Sequence, residues 1–407
     1  MDMALQIPED APVRLLGEIL DKMDFGSLER AEKRGAQRRI PGRILFGVLV
    51  FGEMKGVYSS RKIEECCRYD VRYRWLLEGC EAPDHSTISR FRGEALSEVA
   101  EELFGQLMGY LANLDELDYE HLFVDGTKQE ANANRYSFVW RKSVEKRLLK
   151  LRENAAALLP ADVSSVELET VRQAHLAQEG ICRERGIEFV SGKGKRKSPE
   201  QKYFEALRDI VAKWEEYENH LTIMGTGRNS YSKTDHDATF MRMKDDHMRN
   251  AQLKPGYNVQ IGVSSEYIVG IEAFPNRSDS GTFVPFQKSI EQLHGRRFES
   301  VTADAGYESL ENYLYLEENR QLCFIKPTNY EASKRKNKNW IGRREDMDYC
   351  PEQDVFFCQD GMALWPVGTR NRKSETGFSS TSTIYPCENC SGCALRPRCP
   401  RAKDGTT

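Results

Sequence analysis

Leu122-Phe123-Val124-Asp125-Gly126-Thr127 is the stretch whose reading decides the fold. Three apolar residues run into an aspartate and then a glycine, the pattern by which a buried strand delivers a carboxylate to the edge of a sheet. The same grammar returns far downstream as Val301-Thr302-Ala303-Asp304-Ala305-Gly306-Tyr307. If the two strands are neighbours, both carboxylates point into one small volume and can share a divalent cation. The plain alternative is that each aspartate merely closes a turn after its strand, a frequent role for Asp before Gly.

Other strands cluster around this pair. Gly256 to Val263 and Tyr267 to Ile271 are separated only by Ser264, Ser265 and Glu266, which predicts a hairpin. Residues 281–294 read as a helix with Phe283, Phe286, Ile290 and Leu293 on one face, and a second helix carries Leu310, Tyr313, Leu314 and Leu316. Leu322-Cys323-Phe324-Ile325 makes the last strand. The order is strand, large insertion, hairpin, helix, strand, helix, strand. Three antiparallel strands followed by two crossovers to parallel ones is the strand order of an RNase H-like sheet, and it sets the two aspartate strands side by side.

The insertion is helical. Val144, Leu148, Leu151, Ala155 and Leu158 step by four and three, as do Tyr203, Leu207, Ile210, Trp214, Tyr217 and Leu221. Both are heptad seams, which predict a coiled-coil-like hairpin. Its tip, Ser191 to Pro199, is rich in Gly, Lys and Arg and reads as a solvated loop that could touch phosphates. Residues 1–118 are helical as well. Ser59-Ser60 before Arg61-Lys62-Ile63-Glu64-Glu65 marks one helix start. Pro83-Asp84-His85-Ser86-Thr87-Ile88-Ser89-Arg90-Phe91-Arg92 marks another, continued by Leu96, Val99, Leu103, Leu107, Tyr110 and Leu114 as one long helix. Such a pair suits a helix-turn-helix that presents Ser86, Thr87, Arg90 and Arg92 to DNA; from the pattern alone a plain bundle with solvated arginines is the commoner outcome.

A net charge of -4 over 407 residues excludes a global pull toward nucleic acid, so any DNA contact rests on local basic patches. One is Lys334-Arg335-Lys336-Asn337-Lys338-Asn339-Trp340, where cations beside an aromatic suit phosphate contacts and also suit a solvated loop. No apolar run approaches the roughly 20 residues that span a bilayer, and Met1 to Asp10 lacks the apolar core of a secretory signal. The expectation is a cytoplasmic protein with no membrane partner. Eleven cysteines there point to metal before disulfides. Cys387, Cys390, Cys393 and Cys399 lie close enough to hold one structural zinc. An iron–sulfur cluster is the competitor, weakened by its final spacing, and an iron–sulfur electron-transfer protein leaves the first 330 residues unexplained.

Taken together, the segments already quoted resemble a bacterial insertion-sequence transposase of the DDE type. So do Val124-Asp125-Gly126-Thr127-Lys128, Ala131-Asn132-Ala133-Asn134, Thr234-Asp235-His236-Asp237-Ala238, Gly256-Tyr257-Asn258-Val259-Gln260 and Ala303-Asp304-Ala305-Gly306-Tyr307. The resemblance covers nearly the whole chain in order. It implies a mixed α+β and α/β architecture: a helical DNA-binding domain at 1–118, an RNase H-like catalytic domain at 119–127 and 236–330, a helical hairpin at 128–235 and a basic, Cys-rich segment at 331–407. It also implies Asp125 and Asp304 as catalytic, Mg²⁺- or Mn²⁺-holding residues, with double-stranded DNA at the element's ends as partner and a homodimer when the chain is intact. The third member of such a triad is a glutamate on a helix after the last strand. Glu331, Glu345, Glu352, Glu375 and Glu388 are the candidates, and none sits in that pattern. The expectation is therefore a C-terminally truncated chain. Either it cleaves and transfers DNA strands, or it is an inactive remnant that at most binds DNA.

Overall fold

In the computed structural model, residues 3–33, 40–160, 166–192, 196–243, 252–328, 330, 341, 344, 347–374, 376–387, 390 and 392–399 are described. The architecture is mixed α/β. Seven helices come first: α1 (Pro12–Lys22), α2 (Gly26–Lys33), α3 (Gly42–Met54), α4 (Ser60–Tyr69), α5 (Val71–Leu76), α6 (His85–Gly93) and α7 (Ala95–Asn113). Then come β1 (His121–Glu130), β2 (Phe138–Trp140), α8 (Arg141–Leu158), α9 (Leu168–Glu184), α10 (Pro199–Met224), β3 (Ser230–Ser232) and β4 (Thr239–Arg242). β5 (Leu253–Ser264), β6 (Tyr267–Phe274), α11 (Phe283–His294), β7 (Ser300–Ala303), α12 (Leu310–Glu318) and β8 (Leu322–Ile325) follow. The last strands are β9 (Asp348–Cys350), β10 (Val355–Phe357), β11 (Ala363–Leu364), β12 (Gly368–Lys373) and β13 (Ser379–Ile384).

The chain divides into two compact units, residues 1–123 with 262–270 and 286–302, and residues 124–261 with 271–285 and 303–407. In the first, α3 is apolar on almost every side, and Leu45, Val48 and Phe51 are buried to 1% exposure or less. A helix apolar all round belongs in the middle of a bundle. The long helix expected from Pro83 onward is broken at Glu94, whose backbone (φ -108, ψ -86) leaves helical space between α6 and α7. The buried stripe of α7 then runs Ala95, Val99, Leu103, Met108, so Leu107 and Tyr110 are only half-buried, and Leu114 is exposed beyond the helix end. The break at Glu94 restarts the helix, so its buried stripe meets the expected 3-4 spacing only at Val99 and Leu103.

In the second unit the heptad seams appear as drawn. Val144, Leu148, Leu151 and Ala155 are buried on α8, and Leu207, Ile210 and Trp214 on α10. A third helix, α9, packs against α10 through Val171, which the two-seam reading had not anticipated. β2 and β3 pair antiparallel, Phe138 with Ser232 and Trp140 with Ser230, and clip together the two ends of this helical segment.

The main sheet has the order β4-β5-β1-β7-β8, with β6 paired to β5. β1 and β7, the two aspartate strands, are hydrogen-bonded neighbours as their sequence grammar requires. The expected hairpin is β5–β6, turned at Ser265 and Glu266, both at positive φ (48° and 70°). That pairing of left-handed residues is the geometry whose twist matches the flanking strands. After β8 the chain forms a small sheet, β11-β10-β9, and a separate two-stranded ribbon, β12-β13, neither of which carried a readable periodicity.

Candidate active site at the carboxylate edge

Along β1 the side chains alternate. Leu122, Val124 and Gly126 are buried, and His121, Phe123, Asp125 and Thr127 are exposed. A strand with this alternation presents Asp125 at the surface while its neighbours anchor it. The Asp125 Oδ1 accepts from the Gly126 N–H at 2.8 Å. Asp304 follows β7 directly and caps the short 3-10 turn Ala305–Tyr307, its Oδ1 accepting from the Gly306 N–H at 2.8 Å. Each aspartate therefore does close its own turn. What distinguishes the pair from ordinary turn aspartates is the third carboxylate set between them.

That carboxylate is Asp279, at the start of the 3-10 turn Asp279–Gly281. A β-carbon at Gly126 would lie 3.1 Å from Asp279 Oδ1, 3.0 Å from the Tyr307 hydroxyl and 2.7 Å from Gln260 Nε2. One at Gly306 would lie 3.1 Å from Asp279 Oδ2 and 2.9 Å from Asp304 Oδ1. The glycine after each aspartate is thus the cradle into which one oxygen of Asp279 fits, and a side chain at either would push it out. A glycine within two residues of each aspartate, Gly126 after Asp125 and Gly306 after Asp304, is the signal that the sequence offers.

Asp279 is held by a directional chain of buried polar groups. The Tyr307 hydroxyl donates to Gln260 Oε1, Gln260 Nε2 donates to Asn258 Oδ1 at 3.0 Å, and Asn258 Nδ2 donates to Asp279 Oδ1 at 2.7 Å. Asn258 and Gln260 are fully buried, and Tyr307 is 1% exposed. Burial pushes the Tyr307 hydroxyl well above its ordinary value, and the negative charges of Asp279, Asp125 and Asp304 push it further. The phenol therefore stays protonated and acts as a donor. Asn312, also fully buried, donates to Ser280 O at 3.1 Å and to Tyr307 O at 2.7 Å, locking the Asp279 turn to the Asp304 turn.

Among the described residues, no group of three or more His, Cys, Asp or Glu side chains is placed to hold a metal ion. The two carboxylates of Asp125 and Asp304 still suit Mg²⁺ or Mn²⁺ in kind, since such ions are commonly held by one or two carboxylates and completed by water and substrate phosphate. Beside the edge lies a cleft of about 600 Å³ lined by Lys128, Arg242, Arg277, Ser280, Glu311 and Thr376, among others.

The remaining candidates separate. Asp84 caps α6, accepting from the Thr87 N–H at 2.7 Å, and Ile88 and Phe91 bury its inner face. Ser86 and Arg90 are exposed on this helix. Arg92 instead turns inward, donating to Tyr58 O at 3.3 Å and pairing with Glu53 at 3.7 Å. Residues two apart on a helix cannot share a face, so Arg90 and Arg92 cannot both read DNA from one side. Lys334, Arg335 and Lys336 lie outside the described residues, as do Glu331, Glu345, Glu375 and Glu388. Glu352 is exposed in the turn between β9 and β10. Burial raises the Cys399 thiol, and Cys393, Cys358 and Cys387 raise it further. Cys358 therefore stands with the C-terminal thiols. Asp235, in a quoted motif, serves its own loop by accepting from the Tyr257 hydroxyl at 2.8 Å and the Ala238 N–H at 3.2 Å.

Three family models match the sequence: a Transposase domain (DUF772) over residues 2–94, and two models of a Transposase DDE domain over residues 228–354 and 357–407. Asp279 and Asp304 fall inside the matched spans, and Asp125 does not. No curated protein and no solved structure matches. No helix among the described residues is long and apolar enough to cross a membrane.

Proposed function

Because the chain belongs to the DDE transposases of insertion sequences, we propose that it cuts and rejoins DNA strands at the ends of its element, with Asp125 and Asp304 as the reacting carboxylates. One observation carries the assignment: Asp125 on β1 and Asp304 directly after β7 belong to hydrogen-bonded neighbour strands, and the glycine within two residues after each lies against one shared carboxylate, Asp279. Turn aspartates with a purely local role have no reason to converge.

DDE transposase domains work with divalent metals, and here Asp125 and Asp304 would hold Mg²⁺ or Mn²⁺. When bound, such a cation activates an oxygen nucleophile and offsets charge on the phosphate. The chain's own residues do the rest. The RNase H-like sheet sets the two aspartates on neighbouring strands. The Tyr307–Gln260–Asn258 chain delivers a donor to Asp279 and fixes its carboxylate beside the two glycines. Water, and then a DNA 3′ hydroxyl, attacks the phosphodiester in line; the attacking oxygen gives up its proton as the leaving 3′ oxygen departs. Two element ends brought together call for two copies of one site, so the working form is a homodimer on duplex DNA in the cytoplasm. Residues 1–118 then serve as the DNA-binding domain, 119–127 with 236–330 as the catalytic domain, 128–235 as a helical insertion, and 331–407 as the basic segment with a structural zinc.

The test is nicking of a supercoiled plasmid carrying the element's ends. Mg²⁺-dependent nicking by the wild-type chain, lost in Asp125→Asn and Asp304→Asn with unchanged thermal melting, supports the assignment. Nicking that persists in Asp304→Asn overturns it.

A further inference from the structure

We infer that the β12–β13 ribbon is an arm that grips the backbone of duplex DNA beside the carboxylate edge; this rests on the reading given under Proposed function and adds to it a surface and a mode of contact. All six residues of β12 are exposed, as are five of the six of β13. The strands pair Arg370 with Ser382 and Arg372 with Ser380 on one face, and Thr369 with Thr383, Asn371 with Thr381 and Lys373 with Ser379 on the other. Neither face packs on a core. A two-stranded ribbon with no buried face is marginal in water, so packing does not explain why this one is built as it is.

Its composition points to the occupant. The strands carry Arg370, Arg372 and Lys373 with hydroxyl and amide side chains, and no carboxylate. None of the three cations makes an ion pair with a described carboxylate. Arg, Lys, Ser, Thr and Asn are the side chains that contact DNA phosphates. At about 3.3 Å per residue, six residues span roughly 20 Å, and the major groove of a duplex admits a two-stranded ribbon.

The arm is fastened where the reaction would occur. At its turn, the Thr376 hydroxyl donates to Glu311 of α12, and the Ser374 hydroxyl donates to the same carboxylate at 3.5 Å. Thr376 Cγ2 also lies 3.5 Å from where a β-carbon on Gly281 would stand, in the Asp279 turn. The neighbouring residue of α12, Asn312, is the one that locks the Asp279 and Asp304 turns together. Ser374 and Thr376 form one wall of the cleft that Lys128, Arg242 and Arg277 also line. Cations therefore continue from the cleft, where Arg242 and Arg277 are exposed and Lys128 half-buried, out along the ribbon.

The test is binding of the full chain to a fluorescent duplex of roughly 30 base pairs, long enough to cover a typical interface. It is run in EDTA so that cleavage plays no part, and across a salt series. For Arg370→Ala/Arg372→Ala/Lys373→Ala we expect affinity to fall about tenfold or more. The slope of log K against log salt should become shallower by two to three, near 0.9 for each lost phosphate contact. Arg370→Lys/Arg372→Lys should keep the slope, and melting should be unchanged, since the ribbon buries nothing. Wild-type binding with an unaltered slope in the triple variant overturns the ribbon proposal and leaves the transposase reading standing. Failure of the wild type to bind duplex DNA overturns both. Tighter binding to an RNA duplex of the same length overturns the choice of DNA as the occupant.

Discussion

The thiols of Cys387, Cys390, Cys393 and Cys399 lie within one short segment, whereas the carboxylates of Asp125, Asp279 and Asp304 come from three distant ones. The short-range cluster is the easier to see in a sequence, because ligand spacing of two residues needs no knowledge of the fold. Yet the distant cluster is the one with a built support: two buried amides, a buried tyrosine donor, a bridging asparagine and two glycines shaped around one carboxylate. The thiols are half-buried and have no comparable scaffold among the described residues. Proximity in sequence and preorganisation in space are separate properties, and chemistry depends on the second.

The sharpest way to break the contrast is at the carboxylates. Asp304→Asn is expected to lower Mg²⁺-dependent nicking by at least about 10³-fold, measured on plasmid, because one member of a unit that acts together is removed. Gly306→Ala comes next. Its methyl would meet both Asp304 and Asp279, so nicking should fall, and stability should drop by about 1–3 kcal/mol in a urea melt. A Gly306→Ala variant that melts and cuts like the wild type would remove the cradle from the account. Asn258→Ala should cost about 1–3 kcal/mol by leaving Gln260 and Asp279 without their buried partner, read in the same melt. For the thiols, adding zinc should raise the melting temperature of the wild type by a few degrees and leave Cys387→Ser/Cys399→Ser unmoved. Iron and sulfide in the purified protein would replace that reading.

The smallest expected effect is at the other unit. Hydrogen bonds from the His85 side chain and backbone hold the Glu64 carboxyl below its usual range and tie α6 to α4. A depressed carboxylate gives stability that is complete above its unfolded value and disappears as pH falls through the folded one. Wild type should thus lose a small increment of melting temperature below roughly pH 4 that Glu64→Gln does not lose.

How much of this was readable depends on which force set each element. The strands of Asp125 and Asp304 and their adjacency followed from hydrophobic runs and strand order. The helical seams at Val144 and Leu207 followed from period. β5 shows where pattern fails: its fully buried face is Gly256, Asn258, Gln260, Gly262 and Ser264, while Val259, Ile261 and Val263 are only half-buried. Alternation alone would turn that strand over, because it assumes that burial follows hydrophobicity. Here the buried face is polar because its amides hold Asp279, a tertiary demand that no local pattern carries. Asp279 escaped for the same reason, since it ends no strand and sits in no periodic run. The broken helix at Glu94 escaped because a single backbone conformation set it.

The position of β1 in the sheet has a consequence for synthesis of the chain. Its two flanking strands are β5 and β7, which begin at Leu253 and Ser300. At about 5–20 residues per second, the ribosome takes roughly 6–25 s after finishing β1 to begin the first of them. Throughout that interval Leu122 and Val124 have no sheet to enter, and the strand offers unpaired backbone on both sides, a segment for chaperones to shield. The carboxylate edge with its polar support cannot exist on a nascent chain until Tyr307 has emerged. Assembly of the site therefore waits on segments made long after β1, and that order is written into the topology.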